Sequence, residues 1–152
     1  MPTTIQNANL TIGITEAISL NGQTWNGETK KVIPNINEYS KRVVTAPASQ
    51  EVYLIKFAST PGPGQYKASD VKYIRITNLD DTNFLSIKVT DDTTSTMVFF
   101  IKLLPGQFFI LSNTSLFASG TGASFTSFAT ASGIAVTADT AAIDVEIAVA
   151  SN

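Results

Sequence analysis

The acidic side chains that could support acid–base chemistry occur as two adjacent pairs, Asp80-Asp81 and Asp91-Asp92. A catalytic carboxylate pair needs two acids that face each other across a cleft, with the pKa of one of them raised. Adjacent acids among Asn and Thr residues are instead typical of turns, where Asp accepts hydrogen bonds from the local backbone. The sequence therefore predicts turns at both pairs. The alternative is a weak Ca²⁺ site formed by Asp80, Asp81 and Asn83.

The chain contains no His and no Cys. This composition excludes a histidine general base, Ser-His-Asp and Cys-His arrangements, thiolate chemistry and cysteine-bound metal clusters. An enzyme would have to work with carboxylates alone, for example Asp70 with Glu38. We therefore expect that the protein is not an enzyme and that it has no cofactor and no metal site.

The charge balance predicts neither a nucleic-acid partner nor a membrane partner. Ten basic and 12 acidic residues give a net charge of −2, and the basic residues are spread over most of the chain. Binding to a phosphate backbone or an anionic lipid surface requires concentrated positive charge. No apolar run approaches the roughly 18 residues of a membrane-spanning helix. The first residues also lack the basic and apolar regions of a secretory signal, so none is expected.

The overall composition favours strands. The chain has 152 residues, 43% of them hydrophobic and only 14% charged, together with 20 Thr and 14 Ser. This length fits one domain with one core. Thr and Ser supply the polar surface that charged residues do not, and they suit strands and turns better than helices. We expect a single all-β domain over residues 1–152.

The N-terminal third carries a hairpin signal. Residues 9–20 alternate apolar and polar, and Asn21-Gly22 follows at once, which is the strongest short hairpin sequence. Asn26-Gly27 repeats the signal and predicts a second turn. Trp25 lies between the two predicted turns. We expect it to be a buried anchor for the hairpin, and the alternative is an exposed ring that stacks on sugars.

The rest of the chain predicts further short strands. Four of them, at 71–78, 84–90, 97–104 and 107–111, follow one another closely and predict a four-stranded meander. Leu104-Pro105-Gly106-Gln107 has the residues of a type II turn. The cleanest alternation, over 143–149, predicts a final strand with one buried face. The fold class expected is an antiparallel β-sandwich, jelly-roll-like, of 8–9 strands, with a small barrel as the alternative.

Two segments have too many apolar side chains for a solvated surface. The strand at 97–104 is apolar on both faces, so we expect a second cover from a loop or a neighbouring molecule. Residues 112–142 form an expected long loop rich in Ser, Thr, Ala and Gly, with several Phe but a single charge. Protein interfaces lose charged residues and gain aromatic ones. The side chains predicted at an interface are Phe99, Ile101, Leu116, Phe117, Phe125 and Phe128.

The second half of the chain resembles small structural proteins of tailed bacteriophage virions. The resemblance lies in the general pattern of residue types over residues 72–84, 104–109 and 138–146. It implies a non-catalytic protein that decorates or cements a capsid, or serves in a tail, in many copies. We expect a virion subunit, most simply a capsid decoration or cement protein, whose partners are copies of itself and other virion proteins such as the major capsid protein or tail components.

The second hypothesis is a receptor- or glycan-binding module from a phage tail or a cell surface. Such a module would stack sugars on aromatic rings and bind their hydroxyls with Asn and Asp side chains. The candidate rings are Trp25, Tyr39, Tyr53, Tyr66 and Tyr73.

Overall fold

The chain is all-β in the computed structural model, which describes residues 6–91, 98–112, 117–118, 126–127 and 131–152. These residues form ten strands of five or more residues and two strands of two residues, and among them no helix is long and apolar enough to cross a membrane. The strands are β1 (Ala8–Leu20), β2 (Gln23–Ile36), β3 (Glu38–Ala46), β4 (Glu51–Lys56), β5 (Val71–Asn78), β6 (Leu85–Asp91), β7 (Val98–Leu103), β8 (Phe108–Ser112), β9 (Phe117–Ala118), β10 (Thr126–Ser127), β11 (Ala131–Ala138) and β12 (Ile143–Ser151).

Eight of these strands are paired in a nested way along the chain. β3 pairs with β12, β4 with β11, β5 with β8 and β6 with β7, all antiparallel. Pairings of β5 with β12 and of β6 with β11 join them into two four-stranded sheets, β3-β12-β5-β8 and β4-β11-β6-β7. Nested hairpins wrapped into two facing sheets are the jelly-roll arrangement. The predicted jelly-roll sandwich is therefore confirmed.

The main core lies between the two sheets and follows from the period-2 alternation. In β12 the side chains of Val145 and Ile147 are fully buried in this core, together with Ile74 and Ile76 of β5 and Ile87 of β6. Successive side chains of a strand point to opposite faces, so the intervening residues of β12 face outward. Full burial of each branched side chain stabilises the fold by about 1.5–3 kcal/mol.

The predicted four-stranded meander is wrong. β5 pairs with β8 in one sheet and β6 pairs with β7 in the other, so the chain crosses between the sheets from β5 to β6 and again from β7 to β8. The turn at 104–107 has the expected type II geometry, with Gly106 at φ 69° and a 3.1 Å bond from Gln107 N to Leu104 O. It carries the chain from one sheet to the other, because a tight turn does not determine which partner the next strand meets.

The turn at the first acidic pair is confirmed. Asp80 Oδ1 accepts hydrogen bonds from the backbone N–H groups of Asn83 and Thr82, and these bonds hold the pKa of Asp80 below its usual value. The preceding Asn78 is fully buried and donates from Nδ2 to Asn83 O and Leu103 O. This amide thus ties the β5–β6 connection to the end of β7. Of the second acidic pair, Asp91 ends β6 and Asp92 lies outside the described residues.

The long loop expected over residues 112–142 is wrong for residues 131–138, because these form β11, a central strand. The small residues that suggested a loop have a packing role there. A Cβ on Gly133 would lie 2.5 Å from Ile55 O and about 3 Å from the Tyr53 ring. Close approach of a neighbouring strand and an aromatic ring therefore requires glycine at this position.

We expect Gly133→Ala to lower the free energy of unfolding by about 1–3 kcal/mol, because the added methyl group overpacks against the β4 backbone. Urea denaturation monitored by circular dichroism measures this change. Gly27→Ala is the matched control, since a Cβ there lies 3.7 Å from Glu16 Oε2, an ordinary van der Waals distance. Equal stability of Gly133→Ala and the wild type would contradict the packing described.

Candidate functional site

The first two strands form a long hairpin, which we call the arm. Its turn is Asn21-Gly22, with both residues at positive φ (51° and 77°), and Leu20 is paired with Gln23. The predicted hairpin is therefore confirmed. The second turn predicted at Asn26-Gly27 is wrong, because both residues lie within β2, opposite Ala17 and Glu16. The Asn-Gly sequence permits a turn, but the register that the first turn sets extends β2 straight through it.

One face of the arm is apolar along most of its length. Alternate residues of β1 and their strand partners in β2 have their side chains on the same face of the hairpin. We call this the arm face, and it consists of Leu10, Ile12, Ile14, Glu16, Ile18 and Leu20 from β1 and Gln23, Trp25, Gly27, Thr29, Lys31 and Ile33 from β2.

The base of the arm face packs on the outside of the sheet β3-β12-β5-β8. Ile33 of the arm forms a second apolar cluster with Tyr73, Ala148 and Ala150, and Leu10 packs against it. The outward side chains of β12 at this point are alanines, which leaves room for the arm. Burial raises the pKa of the Tyr73 hydroxyl above its usual value, although the charge of Arg75 opposes the shift.

The outer half of the arm face is exposed. Ile14, Ile18, Leu20 and Trp25 each expose between 52% and 56% of their surface. Trp25 is thus not the buried anchor that we predicted; it lies directly opposite Ile18 near the free end of the hairpin. Full burial of such side chains is worth about 1.5–3 kcal/mol each, so this surface has a strong tendency to be covered.

A charged cluster lies on the outer face of the same sheet, beside the base of the arm. Glu146 of β12 accepts from Lys41 Nζ at 2.9 Å and from Arg75 Nη2 at 2.5 Å. The hydrogen bond from Lys41, with the positive charges of Arg75 and Lys41, holds the pKa of Glu146 below its ordinary value of 4.5 despite partial desolvation. Two cations share one carboxylate, so the cluster carries an excess positive charge.

Apolar side chains flank this excess charge on β3. Tyr39, Lys41 and Val43 alternate along the strand and are paired with Ala150, Ala148 and Glu146, so they share the outer face. Tyr39 and Val43 expose 53% and 56% of their surface. We call Tyr39, Lys41 and Val43 the β3 strip. Of these three residues only Tyr39 was predicted to be functional, as a sugar-stacking ring; no pattern in the sequence predicted the strip as a surface.

The predicted interface residues are only partly described. Phe99 lies on the edge strand β7 and is 39% exposed, whereas Ile101 packs against the main core. Phe100, on the opposite face of β7, is 65% exposed, so no described residue provides the second cover expected for this strand. Phe117 lies in β9, whose backbone pairs with β10, and its side chain is outside the described set. The predicted residues Leu116, Phe125 and Phe128 lie outside the described residues.

The rings proposed for sugar stacking do not form one platform. Tyr73 is buried under the arm, and Tyr66 is partly buried against the core, with its hydroxyl bonded to Ser40 at 2.6 Å. Tyr53 lies on the sheet opposite to that of Tyr39. Trp25 lies near the end of the arm, where a shallow depression is lined by Glu16, Ala17, Ile18, Trp25, Asn26 and Gly27.

Asp70, one of the two carboxylates considered for chemistry, is engaged in local contacts. Asp70 Oδ1 accepts from Ser69 Oγ at 2.8 Å and lies 3.8 Å from Lys67 Nζ. Within the part of the chain that the structure describes, no three His, Cys, Asp or Glu side chains are grouped closely enough to hold a metal ion.

Comparison of the chain with protein-family models, curated proteins and solved structures finds no match.

We expect Glu146→Gln to lower the free energy of unfolding by about 1 kcal/mol near pH 7, because it removes two charge-assisted hydrogen bonds at a partly exposed site. The pKa of Glu146 is lowered in the folded state, so this stabilisation is present above pH 4.5 and is lost as the pH falls through the folded pKa. Urea denaturation of both proteins from pH 7 to pH 2 measures the difference. A difference that stays constant into strong acid would contradict the assignment.

Proposed function

We propose that this chain is a non-enzymatic structural protein of a virion, most simply a capsid decoration or cement subunit, which uses the arm to bind the capsid shell or copies of itself. The observation that carries the proposal is the exposed outer half of the arm face. Apolar patches rimmed by polar residues mark interaction sites, and a chain of this size does not gain stability from leaving four large apolar side chains in water.

The architecture supports an assembly role without establishing it. Jelly rolls occur in viral capsid proteins and in lectin domains, but a fold does not determine a function. The arm adds a specific feature, because two-stranded hairpins are marginally stable alone and gain order when one face is covered. Phe100 on the outer face of the edge strand β7, 65% exposed, is a further apolar side chain open to solvent.

A glycan-binding module is the second candidate, and the exposed Trp25 is the observation that favours it. An indole ring at the end of the arm, with Glu16 and Asn26 beside it, has the elements of a sugar-stacking site. Binding of the purified protein to an array of glycans, abolished by Trp25→Ala, would favour this function over assembly.

The assembly proposal predicts opposite results for two matched double variants. Ile18→Asp with Trp25→Ser places a charge on the arm face, whereas Ser19→Asp with Thr24→Ser places one at the adjacent positions on the other face, which do not line the depression at Trp25. We expect the first variant to lose at least tenfold in binding to virions that lack the protein, and the second to bind like the wild type. Co-sedimentation with purified particles measures the binding.

Circular dichroism and thermal unfolding of both variants control for folding. Equal binding by the two variants would contradict a role of the arm. Failure of the wild-type chain to bind such particles, together with its absence from purified virions by mass spectrometry, would contradict the virion function itself.

A further inference from the structure

We propose that the arm of one copy docks on the β3 strip of a second copy, and the reverse, so that two copies exchange arms in a symmetric dimer. The contact joins Ile14, Glu16 and Ile18, which we call the arm strip, to Tyr39, Lys41 and Val43. The inference deepens the proposed function by naming one partner of the arm.

The two strips match in spacing and in chemical order. Each consists of three alternating residues of one strand, with an ionised side chain between two exposed apolar ones. Alternate residues lie about 6.6 Å apart on any extended strand, so the two rows can be placed in register. When Glu16 faces Lys41, the isoleucines on either side meet Tyr39 and Val43, whichever way the strands run.

The charges are complementary where they would meet. Glu16 is the only acidic residue of the arm face, and it forms no ion pair with any described residue. Its strand partner is Gly27, which has no side chain to cover the carboxylate. Half of the Lys41 side chain is exposed, and Lys41 shares Glu146 with Arg75. The β3 strip therefore offers Glu16 the cationic partner that it does not have among the described residues of its own copy.

The same two surfaces already contact each other within one copy. The base of the arm face packs on Tyr73, Ala148 and Ala150 of this sheet face. Ala148 and Ala150 are the direct strand partners of Lys41 and Tyr39, so the β3 strip borders the surface that the arm base occupies. A second arm on the strip would extend an existing apolar contact.

The size of the surface favours a reciprocal contact. The exposed half of the arm has seven residue pairs, from Ile14 opposite Thr29 to Leu20 opposite Gln23. At about 3.3 Å per residue it is roughly 23 Å long, and its two strands with their side chains are roughly 10 Å wide. One such contact buries roughly 450 Å² over both copies, whereas two contacts about a twofold axis bury roughly 900 Å², which is the size of weak, transient interfaces.

The test is the oligomeric state of charge-reversal variants, measured by sedimentation velocity over a wide range of protein concentration. We expect the wild type to sediment as a dimer of the 16.2 kDa chain at high concentration. Glu16→Lys should weaken dimerisation about tenfold or more, because two like charges would face each other. Glu28→Lys is the matched control, since Glu28 lies on the other face of the arm.

Reversal of the partner should restore the dimer. We expect Lys41→Glu alone to weaken dimerisation and the combination of Glu16→Lys with Lys41→Glu to recover most of it. A wild type that stays monomeric at every concentration would overturn the proposal. Equal effects of Glu16→Lys and Glu28→Lys, or no recovery in the combined variant, would also overturn it.

Cross-linking provides a measurement that does not depend on these charges. The chain has no cysteine, so Glu16→Cys and Lys41→Cys each introduce a single thiol. Face-to-face packed sheets are about 10 Å apart, which a short bis-maleimide spans and a disulfide does not. We expect a cross-linked dimer when the two variants are mixed and none when Glu28→Cys replaces Glu16→Cys. Equal yields from both mixtures would overturn the contact.

The two proposals fail in different ways. A monomeric wild type that still binds virions would remove arm exchange and leave the virion function in place. A dimer that passes the charge-reversal and cross-linking tests but never associates with virions would leave arm exchange in place and remove the virion function.

Discussion

The pairing of β3 with β12 is the constraint on which the rest of the structure depends. It joins residues 38–46 to residues 143–151 across most of the chain, and the other hairpins are nested inside it. The same pairing builds the outer surface on which the base of the arm packs and on which the proposed dimer contact lies. It places two alanines of β12 under the base of the arm, and it brings Glu146 to Lys41 at the centre of the β3 strip.

The two halves of the arm differ in how much of their apolar face is buried. Its base is stabilised by contact with the sheet, whereas its outer half combines the same alternation of apolar side chains with full access to solvent. The free energy of burial that holds the base in place is therefore still available at the outer half. This difference between two halves of one hairpin supports the proposed assembly role more directly than the jelly-roll architecture does.

The parts of the fold that depend on local chemistry could be predicted from the sequence. Alternation identified β1, β5 and β12, Asn21-Gly22 identified the hairpin, and Leu104 to Gln107 identified a type II turn. The order of strands in the sheets could not be predicted, because it depends on partners up to about a hundred residues away and no local signal specifies them. β11 was missed because glycine and alanine, which suit a loop, are also what a crowded central strand requires.

Only part of the candidate site could be predicted from the sequence, because the exposure of a side chain also depends on residues that are distant along the chain. The row of Ile14, Ile18 and Leu20 predicts a buried face, but alternation does not say whether the cover comes from the same chain. The length of β1 and β2, at 13 and 14 residues against five to nine in the sandwich, is the signal that the arm extends beyond its own domain. The exposure of the β3 strip depends on how far the arm reaches across the sheet, which only the assembled fold reveals.

Trp25 is the only tryptophan of the chain, and its fluorescence therefore reports directly on the outer half of the arm. The most direct measurement is its emission spectrum and its quenching by acrylamide, from nanomolar to the highest soluble concentration and in purified particles. We expect long-wavelength, readily quenched emission from the dilute chain, and shorter-wavelength, protected emission once copies or a shell cover the arm. Emission and quenching that stay unchanged from the dilute chain to the assembled state would contradict the central claim that this apolar surface is covered by a partner.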